Sequence, residues 1–332
     1  MKIFITGGTG FIGSRLTEKL ASQGHEVLLL LRDPSRAVSF GSDRVKYIAG
    51  DIFDKETLIK GMTGCDWVFH MAAFTRPSSE DQSLPYKTNV TGTINVLDAA
   101  TVCKVKKVVL TSTGGTMGCS GNMNTVSETT NPDPQFNTAY EKTKFEAEGI
   151  AREYSKRGLD VVIVNPTRVY GPGKLSKSNS LTKLIKLYIS GLWRILPGNG
   201  HSIGNYVFVN DVVDGHILAA ISGRKGERYI LGGENLTFRE LFNITGDICG
   251  KKRILIPLPV FVMNLTLKSA LLLSWLTGKP PFITEDWLDK FMNNWILSSD
   301  KAVTELGYRI TSFRDGVAET IRWIKKGNER NG

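Results

Sequence analysis

The first half of the chain alternates short apolar runs with amphipathic stretches. Runs of mainly β-branched and aliphatic residues predict buried strands at 2–6, 26–31, 45–48, 67–70, 107–111 and 161–164. Between these runs, apolar residues recur every three or four positions, which predicts helices at 11–23, 55–60, 86–101 and 139–156. Strands that alternate with helices over short connections predict right-handed crossovers and an α/β fold with a doubly wound parallel sheet.

After about residue 165 this alternation loosens, and turns rich in glycine and proline appear. Further strands are predicted at 206–209, 229–231 and 254–256, with helices that begin at Asp211 and Thr237 and others towards the C-terminus. We therefore predict a larger α/β domain over 1–165 and a smaller lobe over 166–332, with 206–222 returning to the larger domain. In folds of this class, ligands bind in the crevice at the carboxyl ends of the strands.

The stretch 259–278 is the most apolar part of the chain. Asn264 and Lys268 stand in its middle, which argues against a membrane-spanning helix. We expect a helix buried in the C-terminal lobe. The alternative is a helix that lies on a membrane surface, or one that lines the entrance for an apolar substrate.

The 332 residues carry a formal net charge of +10, which we interpret as basic residues spread over the surface plus a basic C-terminal tail. No recognition motif accompanies this charge, so a nucleic-acid partner is not expected. The four cysteines lack the paired spacing of a disulfide framework or a zinc site. We therefore expect no metal site. Scattered thiols favour a reducing compartment, so we expect a cytoplasmic location. Both a monomer and a homodimer are compatible with the sequence.

Three glycines follow the first predicted strand and open the first helix with the spacing G-x-x-G-x-x-G. Glycine permits a tight turn and lets the backbone amides of a helix N-terminus approach a pyrophosphate. The larger domain is therefore predicted to be a Rossmann domain that binds a dinucleotide, and the smaller lobe is predicted to bind the substrate. The residues expected to contact the dinucleotide here are Gly7, Gly10, Phe11, Ile12 and Gly13.

The end of the second strand bears on which dinucleotide binds. Arg32 stands there, with Arg36 four residues on, and a guanidinium grips a 2′-phosphate bidentately. Asp33 is a competing signal, because a small shift of the turn would point its carboxylate at the ribose hydroxyls of NAD. We favour NADP(H) and keep NAD(H) open. Asp51 is predicted to accept a hydrogen bond from the adenine amino group, and the following Ile52 is predicted to contact the cofactor. The alternative for Asp51 is a helix N-cap.

Tyr140 and Lys144 are spaced i and i+4 in a predicted helix, so their side chains share one face. A nearby ammonium stabilises a phenolate and lowers the tyrosine pKa from its usual value near 10. Such a phenol exchanges a proton with a carbonyl or alcohol oxygen while hydride moves at the adjacent carbon. This pair therefore predicts acid–base chemistry beside a nicotinamide.

Three consecutive hydroxyl residues, Thr111, Ser112 and Thr113, end the fifth predicted strand at the same edge of the sheet. A hydroxyl there can donate to the developing oxyanion of a carbonyl substrate. The alternative is that these hydroxyls satisfy backbone groups at the strand end. Gly114 and Gly115 are expected to leave room for substrate. After the fourth strand, Ala72 belongs to a run of small residues that lets the backbone pass close to the cofactor, whereas the neighbouring His70 is expected to be a packed strand-end residue.

These motifs together resemble the extended short-chain dehydrogenase/reductases of the NAD-dependent epimerase/dehydratase family, over nearly the whole chain. Within that group the chain looks most similar to dihydroflavonol 4-reductase-like and hopanoid-associated epimerase-like proteins. The resemblance implies that the catalytic hydroxyl falls on Thr113 rather than Ser112, beside Tyr140 and Lys144. It further implies that Pro166 and Val169 contact the nicotinamide. The motifs that carry it are 6–13, Asp51, 70–73, 89–93, 111–113, Tyr140 with Lys144, 165–172, 209–212, 228–233 and 306–308.

The chain departs from the family in one informative place. Nucleotide-sugar epimerases and dehydratases usually carry an arginine just before the strand that includes Tyr206, to hold the diphosphate. Here that stretch is Ile-Gly-Asn, and 279–290 shows no clear second arginine. This counts against a nucleotide-diphosphate sugar, although Arg168 or Arg194 can substitute. The substrate contacts that we predict are Thr75, Gly114, Arg168 and Tyr206.

Three functions are compatible with these residues. The favoured one is an NADP-dependent reductase or dehydrogenase that acts on a carbonyl or alcohol of an apolar or polycyclic small molecule. The second is a sugar epimerase or dehydratase with tightly held NAD, which would show no net cofactor turnover. The third, a non-catalytic dinucleotide sensor, is disfavoured by the intact set of Thr113, Tyr140 and Lys144.

Overall fold

The computed structural model describes residues 1–75, 83–130, 134, 136, 138–277 and 292–329. The strands within this part of the chain are β1 (Lys2–Thr6), β2 (Glu26–Leu31), β3 (Val45–Ala49), β4 (Trp67–His70), β5 (Lys107–Thr111), β6 (Val161–Pro166), β7 (Arg168–Tyr170), β8 (Ile195–Pro197), β9 (Ile203–Phe208), β10 (Arg228–Leu231), β11 (Glu234–Thr237) and β12 (Ile256–Leu258). The α-helices are α1 (Phe11–Ser22), α2 (Lys55–Met62), α3 (Leu84–Tyr86), α4 (Gly92–Val102), α5 (Ala139–Lys156), α6 (Ser180–Ser190), α7 (Val209–Ser222), α8 (Phe238–Cys249), α9 (Val260–Thr277), α10 (Asp300–Leu306) and α11 (Phe313–Glu329).

Seven parallel strands form the central sheet in the order β10-β6-β5-β4-β1-β2-β3. The strand order reverses between β1 and β4, so the carboxyl ends of these strands border a crevice. Helices α1 and α7 bury side chains such as Leu16 and Ile217 on one face of the sheet. Helices α2, α4 and α5 cover the other face through residues such as Met62, Val96 and Ala151. The predicted α/β fold with a doubly wound parallel sheet is confirmed.

The C-terminal half builds a smaller layer beside this sheet. Strands β11, β9 and β7 form a three-stranded sheet, and β12 pairs in parallel with β8. An aromatic core that includes Tyr170, Phe208, Phe242 and Phe313 joins these strands to α6, α8 and α11. The seventh strand of the central sheet, β10, also comes from this half. The larger domain thus takes β10 as a strand and α7 as a covering helix from the C-terminal half, while β9 belongs to the three-stranded sheet. The proposed division at 165 and 166 stays a prediction.

Some element bounds differ from those that the sequence predicts. Helix α7 begins at Val209 rather than Asp211, since the Asp211 carboxylate accepts hydrogen bonds from the Thr311 amide (2.7 Å) and hydroxyl (2.6 Å) instead of capping the helix. The predicted strand at 254–256 is found two residues later, as β12. The predicted helix at 86–101 contains the π-helical turn Lys87–Thr91. The predicted strand at 206–209 is found as β9, at Ile203–Phe208. The six strands predicted within 1–165 begin at the predicted residues.

The predicted burial of the apolar helix at 259–278 is wrong for most of its described side chains. Phe261 is 71% exposed, Leu265 62% and Leu276 65%, whereas Met263 and Leu267 are buried. The helix is apolar on all sides, and only one side of it can contact the lobe. Among the described residues, no helix is long and apolar enough to cross a membrane.

Candidate active site

A cavity of about 840 Å³ lies at the carboxyl edge of the sheet, between the sheet and the C-terminal layer. Most of the predicted site residues line it. Gly114 instead lines a smaller adjoining cavity of about 130 Å³, and Lys144 is buried with 1% of its surface exposed. The predicted residues in the large cavity are Gly7, Gly10, Phe11, Ile12, Gly13, Arg32, Asp51, Ile52, Ala72, Thr75, Thr111, Thr113, Tyr140, Pro166, Arg168, Val169 and Tyr206.

The glycine loop leaves no space for side chains. A Cβ on Gly7 would lie 2.7 Å from the Ala72 nitrogen, and one on Gly13 would lie 2.3 Å from the Gly7 carbonyl oxygen. Gly7 also has a φ of +75°, in the left-handed region that favours glycine. Gly10, the N-cap of α1, provides no side-chain cap, so the amides of the first helical turn are available at the cavity wall. This loop fits the pyrophosphate of a dinucleotide.

Arg32 and Asp33 both line the far end of the cavity, but their side chains are engaged differently. The Asp33 carboxylate accepts hydrogen bonds from the Ser35 amide (3.0 Å) and the Ser35 hydroxyl (2.6 Å), which caps the short 3₁₀ turn Pro34–Arg36. Arg32 is exposed and makes no hydrogen bond or ion pair with other described residues. The Asp33 carboxylate, which could bind the ribose hydroxyls, is therefore hydrogen-bonded within the turn. The Arg32 guanidinium is exposed at the cavity.

Asp51 lies where the sequence predicts an adenine contact. Its carboxylate accepts from the Phe53 amide at 3.2 Å. The helix N-cap that was the alternative for Asp51 is taken by Asp54, whose carboxylate accepts from the Thr57 amide at 3.1 Å. Asp51 is thus free of a capping role and stays at the cavity wall.

His70 is a structural residue rather than a catalyst. The Thr93 hydroxyl donates to the Asn89 carbonyl oxygen (2.6 Å), so it accepts from His70 Nε2 at 3.0 Å. The other ring nitrogen, Nδ1, then accepts from the Thr6 hydroxyl at 2.7 Å. Burial, and secondarily the charge of Lys144, lowers the pKa of His70 to about 3, so the ring is neutral at physiological pH. The predicted packing role agrees with this geometry.

The three hydroxyls at the end of β5 have different partners. The Thr111 hydroxyl donates to Nε2 of His216 at 2.9 Å, because Nδ1 of that ring already faces the Val212 carbonyl oxygen at 2.7 Å. The Ser112 hydroxyl donates to Glu148 at 2.5 Å. The Thr113 hydroxyl accepts from the Gly115 amide at 3.2 Å and lines the cavity.

Gly115 makes room for the side chain of Glu141, whereas the sequence suggested room for substrate. A Cβ at this position would lie 2.8 Å from Cγ of Glu141, so the space beside the glycine is filled by that side chain and not left for substrate. Gly114 packs against Thr167 and Leu297, with distances of 3.1 and 3.3 Å from an added Cβ.

Tyr140 lies in the first turn of α5, which Thr138 caps by accepting from the Glu141 amide. Burial raises the pKa of Tyr140 to about 12, with a further increase from the charge of Glu141, while a hydrogen bond with Thr113 opposes both effects. Burial also lowers the pKa of Lys144 to about 8, although the negative charge of Glu148 acts in the opposite direction and raises it. In the protein alone, burial raises the pKa of Tyr140, opposite to the depression expected from Lys144, and the phenol is protonated near neutral pH.

Glu148 was not predicted from the sequence, yet it joins the segments that carry the candidate catalytic groups. It lies on α5 one turn beyond Lys144 and its side chain is fully buried. Its Oε1 accepts hydrogen bonds from Ser112 (2.5 Å), Thr116 (2.8 Å) and Asn165 Nδ2 (2.7 Å). Its Oε2 lies 3.3 Å from Nη1 of Arg228. Its i+4 spacing from Lys144 was the available signal.

Arg168 brings a cation to the substrate end of the cavity. Its guanidinium lies over the rings of Tyr206 and Phe238, 5.7 and 5.8 Å from their centroids, and donates to the Tyr206 hydroxyl at 3.4 Å. A Cβ on Gly204 would lie 2.6 Å from Nη1, so this glycine makes room for the arginine. Arg194 donates to the Gly191 carbonyl oxygen at 3.0 Å and does not line the cavity. The stretch 279–290 lies outside the described residues.

An apolar arm of the cavity was also missed. Helix α6 and the turn after it line this arm, together with Phe238 of α8. The apolar spacing of α6 was the signal that could have predicted a helix there, but the pattern does not say which side faces a ligand. The lining residues of this arm are Leu181, Leu184, Leu187, Trp193 and Phe238, with Lys183 beside them.

Comparisons with known proteins agree with this geometry. Residues 3–232 match the NAD dependent epimerase/dehydratase family. A Synechocystis protein provisionally named dihydroflavonol 4-reductase is 30% identical, over 97% of this chain and 94% of that protein. Sterol demethylase protein B of Methylococcus capsulatus is 26% identical, over 98% of this chain and 99% of its own. The crystal structure of DesIV, a dTDP-glucose 4,6-dehydratase from Streptomyces venezuelae with NAD bound, is 27% identical and superposes with a TM-score of 0.76, covering 99% of this chain and 98% of that one.

Proposed function

Because the chain belongs to the NAD-dependent epimerase/dehydratase family and is an NAD(P)-dependent enzyme of the oxidoreductase type, we propose that it is an NADP-dependent reductase or dehydrogenase. Its substrate in this proposal is an apolar or polycyclic small molecule with a carbonyl or alcohol group. The observation that carries the proposal is one continuous cavity, in which Thr113 and Tyr140 share the wall with the glycine loop and with the apolar arm of Leu184 and Trp193.

The chemistry follows from the residues at this junction. The bound nicotinamide supplies or accepts hydride. Tyr140 gives its phenolic proton to the substrate carbonyl oxygen, and the Thr113 hydroxyl donates a hydrogen bond to the same oxygen as negative charge develops on it. Lys144, one turn along α5, stabilises the phenolate that remains. Since the pKa of Tyr140 is raised to about 12, the phenol begins protonated, which favours its role as proton donor in reduction.

The preference for NADP rests on Arg32. Its guanidinium is exposed at the cavity rim, and the neighbouring Asp33 carboxylate is held by Ser35. A guanidinium in this place pairs with a 2′-phosphate, whereas a carboxylate there would repel it.

A second function is favoured by Arg168. This arginine and Lys183 place cationic side chains on the wall of the same cavity, and they can pair with a diphosphate. The DesIV structure carries NAD and is named as a nucleotide-sugar dehydratase. The alternative is therefore a sugar epimerase or dehydratase that keeps NAD bound.

Titration of the purified protein with NADPH, NADH, NADP and NAD, followed by carbonyl substrates, separates the two functions. A reductase oxidises one NADPH for each substrate molecule reduced, which the loss of absorbance at about 340 nm records. If the protein is isolated with NAD bound and converts a nucleotide sugar without net cofactor turnover, the reductase proposal is wrong.

A further inference from the structure

Two segments of the chain contain basic residues and no acidic ones. Residues 171–210 and 248–277 together hold nine lysines and arginines and no aspartate or glutamate. The net charge of the whole chain is +10, so these segments account for almost all of it. Lysines and arginines are about as dense in these segments as in the whole chain, so the excess of positive charge comes from the absence of acidic residues.

The same two segments expose large apolar side chains. Ile195 of β8 and Ile256 of β12 are register partners in a parallel pair, so they point to the same side, and they are 40% and 64% exposed. Beside them, Leu192 is 76% exposed and Ile254 84%. Helix α9 begins two residues after β12 and adds the exposed Phe261.

We call this surface the basic apolar face, and define it by β8, β12, the residues next to them and α9. Large contiguous apolar patches are uncommon on the surface of monomeric proteins and mark interaction sites. A helix that is apolar on all sides is normally buried, whereas α9 exposes Leu265, Leu273 and Leu276. Its exposed side also carries Lys268, whose long stem can lie along apolar surface with the ammonium in water.

We propose that the basic apolar face docks on the surface of a bilayer that contains anionic lipids. A lipid surface offers an apolar interior beneath a layer of negative headgroups. The face has the complementary arrangement, with exposed leucine, isoleucine and phenylalanine beside Lys251, Lys252 and Lys268. Lys252 is partly neutralised by Asp247, 3.0 Å away, which lies just outside the acid-free segment.

The face is continuous with the apolar arm of the cavity. Leu187 lines that arm and is also 38% exposed, and the amide of Trp193, a second lining residue, donates to the Leu187 carbonyl oxygen at 3.0 Å. Leu192, the residue before Trp193, belongs to the face. Docking thus brings the entrance of the arm to the lipid, where an apolar substrate would dissolve. This last step rests on the proposed function, whereas the docking itself does not.

Co-sedimentation with lipid vesicles tests the docking. The full chain should bind vesicles of phosphatidylcholine with one quarter phosphatidylglycerol, bind pure phosphatidylcholine at least tenfold more weakly, and lose affinity at high salt because screening weakens the charge term. Phe261→Ser with Leu265→Ser should reduce binding to the anionic vesicles at least tenfold. The matched control is Val102→Ser with Ile221→Ser, two side chains that are 62% and 60% exposed outside the face, and it should bind like the unchanged chain.

Binding of NADPH by each variant reports that the fold is intact, independently of any turnover. The proposal is overturned if the unchanged chain binds neither vesicle, or if the control variant loses as much affinity as the α9 variant. It is also overturned if size-exclusion chromatography shows a dimer that the α9 variant converts to a monomer, because the face is then buried between copies. A protein that docks but reduces no carbonyl substrate would refute the proposed function and leave docking intact.

Discussion

Ser112 and Thr113 line the same cavity, but the Ser112 hydroxyl donates a 2.5 Å hydrogen bond to the buried carboxylate of Glu148. Thr111 is similarly engaged, because its hydroxyl donates to His216. Of the three consecutive hydroxyls, that of Thr113 is the one that bonds with Tyr140, which places it to meet a substrate oxygen beside that phenol. The structure thus gives a physical reason for preferring Thr113 over Ser112.

Removal of the Thr113 hydroxyl should therefore be costly. Thr113→Val should lower kcat by about 10²–10³-fold, since one donor to a developing oxyanion contributes about this much. Thr113→Ser should retain most of the activity. Ser112→Ala serves as the comparison and should mainly lower stability. Steady-state kinetics on the three variants measure these effects. Equal kcat values for Thr113→Val and the unchanged chain would mean that another group donates to the substrate oxygen.

Tyr140→Phe should lower kcat by about 10²–10⁴-fold, as expected when a positioned proton donor is lost. Binding of NADPH, followed by fluorescence, should change little, because the ring still fills the same place. Tyr154→Phe is the control, since this tyrosine lies on the same helix and donates to Asp98 instead. Turnover that survives in Tyr140→Phe would refute the mechanism.

Arg32→Asp should reverse the cofactor preference from NADPH towards NADH, because a carboxylate repels a 2′-phosphate and accepts from ribose hydroxyls. We expect a change of at least 10²-fold in the ratio of the two Kd values. Arg44→Asp, at an exposed position before β3, makes the same change in net charge and should leave the ratio unaltered. If both variants alter the ratio equally, Arg32 makes no specific contact.

Glu148→Gln should destabilise the fold by about 3–5 kcal/mol, the usual cost of breaking a buried ion pair, because Arg228 loses its charged partner. Glu153→Gln on the same helix removes an exposed carboxylate and should change stability by no more than about 0.5 kcal/mol. Urea unfolding measures both. If Glu148→Gln changes the unfolding free energy only slightly, the ion pair with Arg228 contributes little. The hydrogen bonds to the side-chain oxygen at position 148 then suffice to join the end of β5 to α5.

The buried charge of Lys144 should make stability depend on pH. Its pKa is lowered to about 8 in the fold from an ordinary value near 10.5. Between these values the unfolded chain binds more protons, so the contribution of this group to the unfolding free energy rises with pH. Lys144→Met should be more stable than the unchanged chain by up to about 3 kcal/mol at pH 7, and the difference should shrink towards pH 10. A difference that is constant with pH would mean that the pKa of Lys144 is the same in the folded and unfolded chain.

The parts of the site that the sequence predicts are those built from local pattern. The glycine loop was predictable because its three glycines lie in a single strand–helix turn. Tyr140 and Lys144 were predictable because one helix face carries both. Glu148 was not, since its role depends on Ser112, Asn165 and other groups that lie far apart along the chain. Those partners meet only when β5, α5 and β6 are packed.

The C-terminal half was harder to predict for a related reason. The apolar composition of α9 correctly predicts a helix, but burial depends on what packs against it, and hydrophobicity alone does not specify a neighbour. The strand β7 was missed because three residues between two turns give too short a pattern. The apolar arm was missed because the spacing on α6 predicts one apolar side and does not distinguish a protein core from a ligand cavity.

The pairing of β10 with β6 has a consequence for the order of events during synthesis. A nascent chain that has emerged only as far as residue 200 already contains β6, whose side chains are all buried in the finished sheet. Its neighbour β10 is still inside the ribosome, so β6 is an uncovered edge of apolar residues, the arrangement that promotes aggregation. Stalled or truncated chains that end between 170 and 225 should therefore be the ones that most need a chaperone.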